Sequence, residues 1–416
     1  MTNLLVKICF FVSLFLIFYT FLGYPILVLI ISRIERLKYK IKVPKDSGKI
    51  YLNPKIAGYN VLNEKFDKDF YPAVSVIIAA YNEEKFIKNK LQNILELDYP
   101  ADKIEYIFVT DGSTDDTNEI IKSYLENFPN IKLLYKPERK GKLEAIMRAI
   151  PISKGEIIVF SDANAYYNKE AIKFLVRHFQ FPRVGCVAGE KRVISKNKEK
   201  TGEGLYWKYE SFLKKLDSEL YSVAGAAGEI FAIRKSIISE IPSNVILDDF
   251  FISINAALKG YRVVYEPNAQ SFEMPSKSFI EDFKRRLRIS RGGIQSIFIL
   301  KDILNIKLYK FFSFQVISHR FLRWTLTPIS LPIFYFTNYY LFLNQKEVFF
   351  TILFYFQTIV YLLGIIGFLL ETFNKKVFIF HLIFSFMLMN FASFISIVTY
   401  PFIKKSSIWK KVERDT

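Results

Sequence analysis

Three apolar runs in this chain each stop abruptly in polar side chains, and that repeat constrains the fold more than any other feature. Val74-Ser-Val-Ile-Ile-Ala-Ala runs into Tyr81-Asn82-Glu83-Glu84. Val109-Thr runs into Asp111-Gly-Ser-Thr-Asp-Asp-Thr, and Val159-Phe-Ser into Asp162-Ala163-Asn164. A buried parallel strand delivers side chains to the carboxyl edge of its sheet in this way, and α/β proteins bind ligands at that edge. A fourth acidic segment, Leu247-Asp248-Asp249-Phe250, follows further on. Carboxylates so placed suit a hard divalent cation carrying a diphosphate, with general-base chemistry beside it.

The runs alternate with helical patterns. Strands are expected at 74–80, 104–110, near 131–135, at 156–161, 184–189 and 261–265. Helices are expected near 84–96, at 115–127, 142–150, 168–179 and 200–222, and from Asp249 to Gly260. Such alternation implies a mostly parallel sheet with helices on both faces.

Membrane anchors flank this segment. Residues 8–32, 324–345 and 348–370 carry no charged side chain, and 377–403 carries only His381. Each run reaches the roughly 20 residues that a helix needs to cross hydrocarbon. The first is too long for a signal peptide, and no small-residue cleavage site follows it. The expected plan is an N-terminal transmembrane helix at 1–32, a basic membrane-proximal linker at 33–73, and a catalytic domain at 74–275. Amphipathic interface helices at 276–323, about three transmembrane helices at 324–403 and a basic tail at 404–416 complete it.

Arg33, Arg36, Lys38, Lys40, Lys42 and Lys45 follow the first run, and only Lys7 precedes it. The positive-inside rule then places 33–323 in the cytoplasm of an integral membrane protein. Three further crossings would put the tail outside, against its Lys404, Lys405, Lys410, Lys411 and Arg414. Either the tail breaks the rule or one run does not fully cross, with 324–345 singled out as re-entrant or kinked by Pro328 and Pro332.

The net charge of +18 fits anionic lipid headgroups and a phosphorylated substrate. Nucleic acid is not expected as a partner, because no nucleic-acid motif accompanies the charge. Cys9 lies in the first apolar run and Cys186 in the α/β segment, so no disulfide framework is expected.

Taken in order, these motifs resemble family 2 glycosyltransferases with a GT-A catalytic domain, of the membrane polysaccharide synthase type that makes cellulose, chitin and hyaluronan. The resemblance implies a GT-A fold over 74–265 and an inverting transfer from a nucleotide-diphosphate sugar, here a UDP-sugar. Tyr81 and Glu83 match the nucleotide-binding strand end, and Asp111 the carboxylate that binds the nucleoside. Thr110 stands where the family often has a first aspartate. Arg139 and Lys142 match basic residues near the nucleotide. Asp162 and Asn164 match the Asp-x-Asp metal motif, implying Mg²⁺ or Mn²⁺. Asp249 matches the catalytic base and Asp248 its neighbour. Arg285 and Arg288 fall in the place of Gln-x-x-Arg-Trp, with Ile289 where the acceptor-stacking Trp would stand.

Each residue has a plainer reading. Asp111 can cap a turn, Asp162 can cap a strand end, and Asp248 and Asp249 can cap the following helix. The basic face formed by Lys284, Arg285, Arg288 and Arg291 can bind anionic lipid. Trp207 can be packing, and Gly225 and Gly228 turns. The expected acceptor is a growing polysaccharide, with translocation through the chain's own helices, or else a lipid-linked molecule receiving a single sugar. A non-catalytic sensor of nucleotide sugars is the remaining alternative. The sugar, the linkage and the oligomeric state are not legible.

Overall fold

The computed structural model describes residues 2–38, 66–194, 202–345, 347–373, 375 and 377–402. Most of the expected linker and the basic tail lie outside these residues.

The core is an eight-stranded sheet in the order β3-β2-β1-β4-β7-β6-β8-β5. Its first strands are β1 (Val74–Ala80), β2 (Ile104–Asp111), β3 (Ile131–Lys136) and β4 (Ile157–Asp162). β1 is parallel to β2 and β4, and β2 to β3. The register pairs Ala80 with Thr110 and Ala79 with Asp162, so these strands end together at one edge. β2 is buried along its whole length, which explains its apolar run at 106–109.

The sheet is mixed rather than simply parallel. β6 (Val184–Val193) pairs parallel to β8 (Arg262–Glu273), and β5 (Tyr166–Tyr167) antiparallel to β8. β7 (Ile230–Arg234) is antiparallel to both β4 and β6. Its reversal has a simple cause. The glycine-rich stretch before it ends at the carboxyl edge, where Ile230 pairs with Ser161. From there the chain can only run back.

Successive strand residues feed opposite faces. Ile77, Ile107, Ile158 and Phe160 point into a core shared with α5 (Lys142–Ile152), α8 (Asp248–Leu258) and α9 (Phe279–Ile299). Val76, Ile78, Phe108 and Val159 point to the other face. There they meet α3 (Glu84–Leu95), α4 (Thr117–Leu125) and α6 (Ala171–Val176). The long α7 (Gly202–Leu220) packs over β8 towards the N-terminal helices.

Those N-terminal helices are α1 (Thr2–Phe18) and α2 (Tyr24–Lys38), joined by a π-helical turn at Tyr19–Gly23. Together they form one of three helices, among the described residues, long and apolar enough to cross a membrane; the others are α14 (Val348–Thr372) and α15 (Phe378–Thr399, with the turn after it). α13 (Leu326–Gln345) does not reach that apolarity, yet it follows α1 from Thr20–Thr327 through Phe10–Phe334 to Asn3–Tyr340. It therefore runs antiparallel to α1 in one direction, not as a re-entrant hairpin. One of its polar residues faces protein: Asn338 is buried and bonds Gln357 at 2.7 Å.

α15 behaves differently. Phe384 meets Phe279, Phe391 meets Phe283 and Tyr400 meets Phe298, so α15 lies parallel to α9 and ends against the core of the sheet.

The expected amphipathic interface helices at 276–323 differ in the structure over 311–324. After α10 (Ile306–Tyr309), the segment breaks into α11 (Phe311–Val316), a π-helical turn at Ile317–Phe321 and α12 (Leu322–Trp324). Ser313, Gln315, Ser318, His319 and Arg323 are all buried. Its polar side chains turn into protein, because α7 supplies carboxylate partners there. The basic face of α9 is likewise not offered to lipid as a unit. Lys284 bonds Glu281 outside, Arg285 and Arg286 bond Asp282, and Arg291 reaches Thr399 of α15.

Candidate active site

The strand-end loops are laced together at the donor edge. Asn82, held at φ 53, donates its backbone N–H to Ser113 Oγ at 3.1 Å and accepts from Thr114 N–H at 2.8 Å. The Glu83 N–H donates to Thr117 Oγ1. Asp111 Oδ2 accepts from the backbone N–H groups of Lys140 (2.9 Å) and Gly141 (2.6 Å). Gly141 sits at φ 102, a conformation that a side chain would oppose. This anchors the 137–141 loop and lays the Arg139 guanidinium over the Tyr81 ring, 3.8 Å from its centroid. Asp111 Oδ1 accepts no hydrogen bond among the described residues and stands 3.5 Å from Arg148. One Asp111 oxygen therefore fixes the loop, and the other faces the Arg148 guanidinium.

Lys142 begins α5 and turns from this edge into a cavity of about 250 Å³. Asp162, Asp248, Asp249, Arg285 and Arg288 also line that cavity, so the structure brings together these residues of the expected set. Tyr81, Glu83, Asp111 and Arg139 lie at the neighbouring edge rather than in its wall. Lys142 Nζ is 2.5 Å from Asp162 Oδ1. Burial alone would lower the Lys142 pKa. Asp162, Asp248 and Asp249 override it and hold the ammonium charged well above its usual range.

Asp249 is pushed up to about 7, first by burial and then by the charge of Asp248 beside it, against the pull of Lys142. Its Oδ1 accepts from the Phe250 N–H at 2.7 Å; the N-cap of α8 is Leu247, so neither Asp248 nor Asp249 takes the capping position. Gly228 faces its other oxygen, and a Cβ added there would stand 3.1 Å from Asp249 Oδ2. Gly225 is held to glycine by its φ of 105 and by the Phe250 ring, which an added Cβ would meet at 2.6 Å.

Several residues in or behind the cavity wall escape sequence reasoning. Glu229 and Glu273 bring carboxylate oxygens within 4.8 Å of one another and of Asp162. Lys191 pairs with both glutamates. The oxygen-rich donor set of Asp162 and Glu229, both in the cavity wall, fits a hard divalent cation. Asn164 occupies the turn after β4 and does not line the cavity. Lys90 stands behind this turn, fully buried, bonding Ser161 Oγ at 2.8 Å and the Ala165 carbonyl at 2.5 Å. Trp207 and Trp324 also line the cavity, Trp324 packing edge-on against Phe250 at 5.1 Å.

The membrane-side wall is a buried charge network. Glu210 accepts from Arg323 and from Arg320 (3.2 Å). His319 lies between Glu210 (3.3 Å) and Asp217 (2.6 Å), and Asp217 accepts from Tyr24 of α2 at 2.5 Å. Burial would raise the Glu210 pKa, but Arg320, Arg323 and His319 hold it well below the carboxylate range. Nothing local signalled Glu210, whose partner Arg323 is 113 positions away.

Residues 75–242 match the sequence profile of the family described as "Glycosyl transferase family 2". The chain is 29% identical over 243 residues to the "Probable glycosyltransferase YdaM" of Bacillus subtilis (strain 168), covering 53% of this chain and 55% of the relative. It is 27% identical over 266 residues to the "Poly-beta-1,6-N-acetyl-D-glucosamine synthase" of Staphylococcus aureus (strain COL), covering 62% and 63%. The chain thus spans between half and two thirds of these relatives' length. In three dimensions it is similar to the "Mannosyltransferase PcManGT from Pyrobaculum calidifontis in complex with GDP-Man and Mn2+". The TM-score is 0.70 at 22% identity, over 94% of this chain and 99% of that one, a likeness of fold. The profile match and the shared fold agree with the geometry: residues 75–242 carry a glycosyltransferase family 2 domain, and the chain has the GT-A fold.

Proposed function

We propose that this enzyme moves a sugar, with inversion, from a UDP-sugar to a hydroxyl acceptor in cell-surface polysaccharide synthesis. The observation that carries the reading is Asp249. It sits in the cavity with its pKa raised to about 7, beside Asp248 and within the field of Lys142, in the wall that also holds Asp162. A base poised near neutral pH suits removal of the acceptor proton.

In this reading Tyr81, Glu83, Asp111 and Arg139 hold the nucleotide. Asp162 and Glu229 would hold Mg²⁺ or Mn²⁺, with Asn164 close behind in the turn. The metal, when bound, supplies charge compensation for the departing diphosphate. Lys142 and Arg288 add positive charge to the same wall, and Arg285 sets its edge. Asp249 takes the proton as the acceptor oxygen attacks the anomeric carbon and the nucleotide diphosphate leaves. Gly228 keeps the approach to Asp249 Oδ2 open. The mannosyltransferase of similar fold was solved with a nucleotide sugar and Mn²⁺, and the staphylococcal relative is a polysaccharide synthase. Both support this assignment.

A second reading, one sugar onto a lipid-linked acceptor, is favoured by Ile289 at the place of the stacking Trp. Incubating the purified chain with a panel of nucleotide sugars and Mg²⁺ or Mn²⁺ tests the common step. Acceptor-dependent UDP release is expected, lost in excess chelator. Release from GDP-sugars alone would reject the donor, and product length separates polymer from single transfer.

The orientation proposed is a catalytic domain in the cytoplasm. α1, α13 and α14 then cross the bilayer while α15 lies along α9 at its surface. That arrangement returns the basic tail to the catalytic side and removes its conflict with the positive-inside rule. In a Cys9→Ser background, cysteines placed at Ser123 and at Ser406 should both resist a membrane-impermeant maleimide in intact cells. Labelling of Ser406→Cys alone would restore a full crossing for α15.

A further inference from the structure

The buried stripe of α3 carries one side chain foreign to a core. Phe86, Ile87, Leu91 and Ile94 are apolar, and Lys90 lies among them, completely buried. A lysine in such a place ordinarily turns its ammonium out to water. Here the head stays inside, on neutral partners. They are the Ser161 hydroxyl at 2.8 Å, the Ala165 carbonyl at 2.5 Å and the Tyr167 ring, its centroid 4.3 Å away. Burial disfavours the ammonium, and the charge of Asp162 acts the other way. An apolar side chain of the same length would fill the stripe without desolvating a polar head.

The ammonium closes a ring of hydrogen bonds around the Asp162 backbone. Lys90 donates to Ser161 Oγ, and Ser161 donates to the Asp162 carbonyl at 3.2 Å. The Ala165 N–H donates to that same carbonyl at 3.2 Å, and the Ala165 carbonyl accepts from Lys90. Asn93, three positions along α3, secures the exit from the turn. It accepts from the Tyr167 N–H and donates to the Tyr167 carbonyl, both at 2.8 Å. The Tyr167 hydroxyl reaches back to the Phe160 carbonyl at 2.9 Å. The 161–167 segment is thus held at both ends from the face of the sheet opposite α5 and α8. With asparagine at 164, Asp162 is the one anionic residue of that segment. The aim of its carboxylate then decides what a cation meets there.

We infer that Lys90 is a positioning residue for the divalent cation: it fixes the Asp162 backbone from behind, and with it the direction of the Asp162 carboxylate into the cavity. The inference rests on the reading of Asp162 as a metal ligand and adds to it a residue outside every motif of the site. Lys90 itself touches neither the cation nor the nucleotide sugar.

The test titrates the purified full-length chain with Mn²⁺ in detergent and excess UDP. Free Mn²⁺ is followed by electron paramagnetic resonance, with UDP alone as the blank, and the metal-free unfolding midpoint is measured alongside. Lys90→Met fills the same space without the donor. It should weaken Mn²⁺ binding by at least about tenfold, as for other groups that orient metal ligands. Its metal-free midpoint should stay or rise, since a desolvated ammonium has been removed. A purely structural lysine would instead lose midpoint. Ser161→Ala opens the ring at its smallest member and should weaken Mn²⁺ by about threefold, the worth of one hydrogen bond. Parent-like Mn²⁺ affinity in Lys90→Met would overturn the proposal. If Lys90→Met fails to fold, or loses midpoint and Mn²⁺ together, Ser161→Ala decides. Weaker Mn²⁺ at the parent midpoint upholds the positioning role, and parent-like Mn²⁺ removes it. Asp162→Asn separates this from the reading beneath it: Mn²⁺ binding at parent strength there would sink Asp162 as the ligand, and the role of Lys90 with it.

Discussion

At the donor edge, polar side chains are held by backbone from neighbouring loops; at the membrane-side wall, they are held by one another. Asp111 takes two backbone N–H groups, Asn82 braces the 113–114 loop, and Arg139 rests on Tyr81. Across the cavity, Glu210, Asp217, His319, Arg320 and Arg323 close a network of side chains from α7 and the 311–324 segment. The first plan fixes geometry before any ligand arrives. The second stores charge that tolerates rearrangement, because Glu210, Asp217 and His319 each have more than one partner within reach. A constant donor against variable acceptors would call for that division.

The comparison predicts that loss of the base is the most damaging single change. Asp249→Asn keeps the size and the Phe250 contact but removes basicity. Transfer should fall by about 10²–10⁴-fold while UDP affinity, set at the other edge, stays within about twofold. Asp248→Asn should lose less, since Asp248 acts on Asp249 through its charge. Near-normal turnover in Asp249→Asn with a dead Asp248→Asn would move the base by one residue.

The membrane-side network should break by unfolding rather than by failing in chemistry. Glu210→Gln leaves Arg320 and Arg323 without their shared carboxylate. Removing one partner of a buried ion pair costs about 3–5 kcal/mol, so the unfolding midpoint should drop markedly. No comparable drop is expected for Arg139→Ala at the donor edge. Similar midpoints for the two variants would erase the distinction between the plans.

What was legible follows the same division. β1, β2 and β4 announce themselves because a buried strand writes its apolar run and its terminal polar residues contiguously. Leu247-Asp248-Asp249-Phe250 is legible for the same reason, as the start of one helix. Reversal of β7 was not, since pairing direction depends on which edge the chain has reached. Glu210 with Arg323, and Glu273 with Lys191, join distant positions and leave no period to detect. The 311–324 segment misleads: its alternation of Phe and basic residues reads as a lipid-facing helix until α7 supplies partners. α13 misleads in the opposite sense, because its Asn338 is spent on Gln357 inside the bundle.

Asp249 also sets a pH signature. Burial and Asp248 raise its pKa to about 7. A base acts only when ionised, so kcat/KM should rise about tenfold per pH unit below that value and level off above it. Asp248→Asn removes one of the raising charges, so the inflection should move to lower pH. A profile flat from pH 5.5 to 8, or an inflection that moves upward in Asp248→Asn, would detach the measured rate from this pair.

The smallest effect expected is at Arg139, and it bears most directly on how the donor edge works. Its guanidinium lies 3.8 Å from the centre of the Tyr81 ring, on a loop pinned by Asp111. An exposed cation–π contact is worth about 0.5–1 kcal/mol, a factor of roughly two to five in binding. Arg139→Ala should therefore raise the donor KM by about that factor and leave kcat nearly unchanged, because the pinned backbone persists without the side chain. Asp111→Ala releases the loop itself, and its donor KM should rise further than in Arg139→Ala. If Arg139→Ala lowered kcat instead, Arg139 would act on the departing diphosphate, and the donor edge would share the chemistry that the cavity wall is assigned alone.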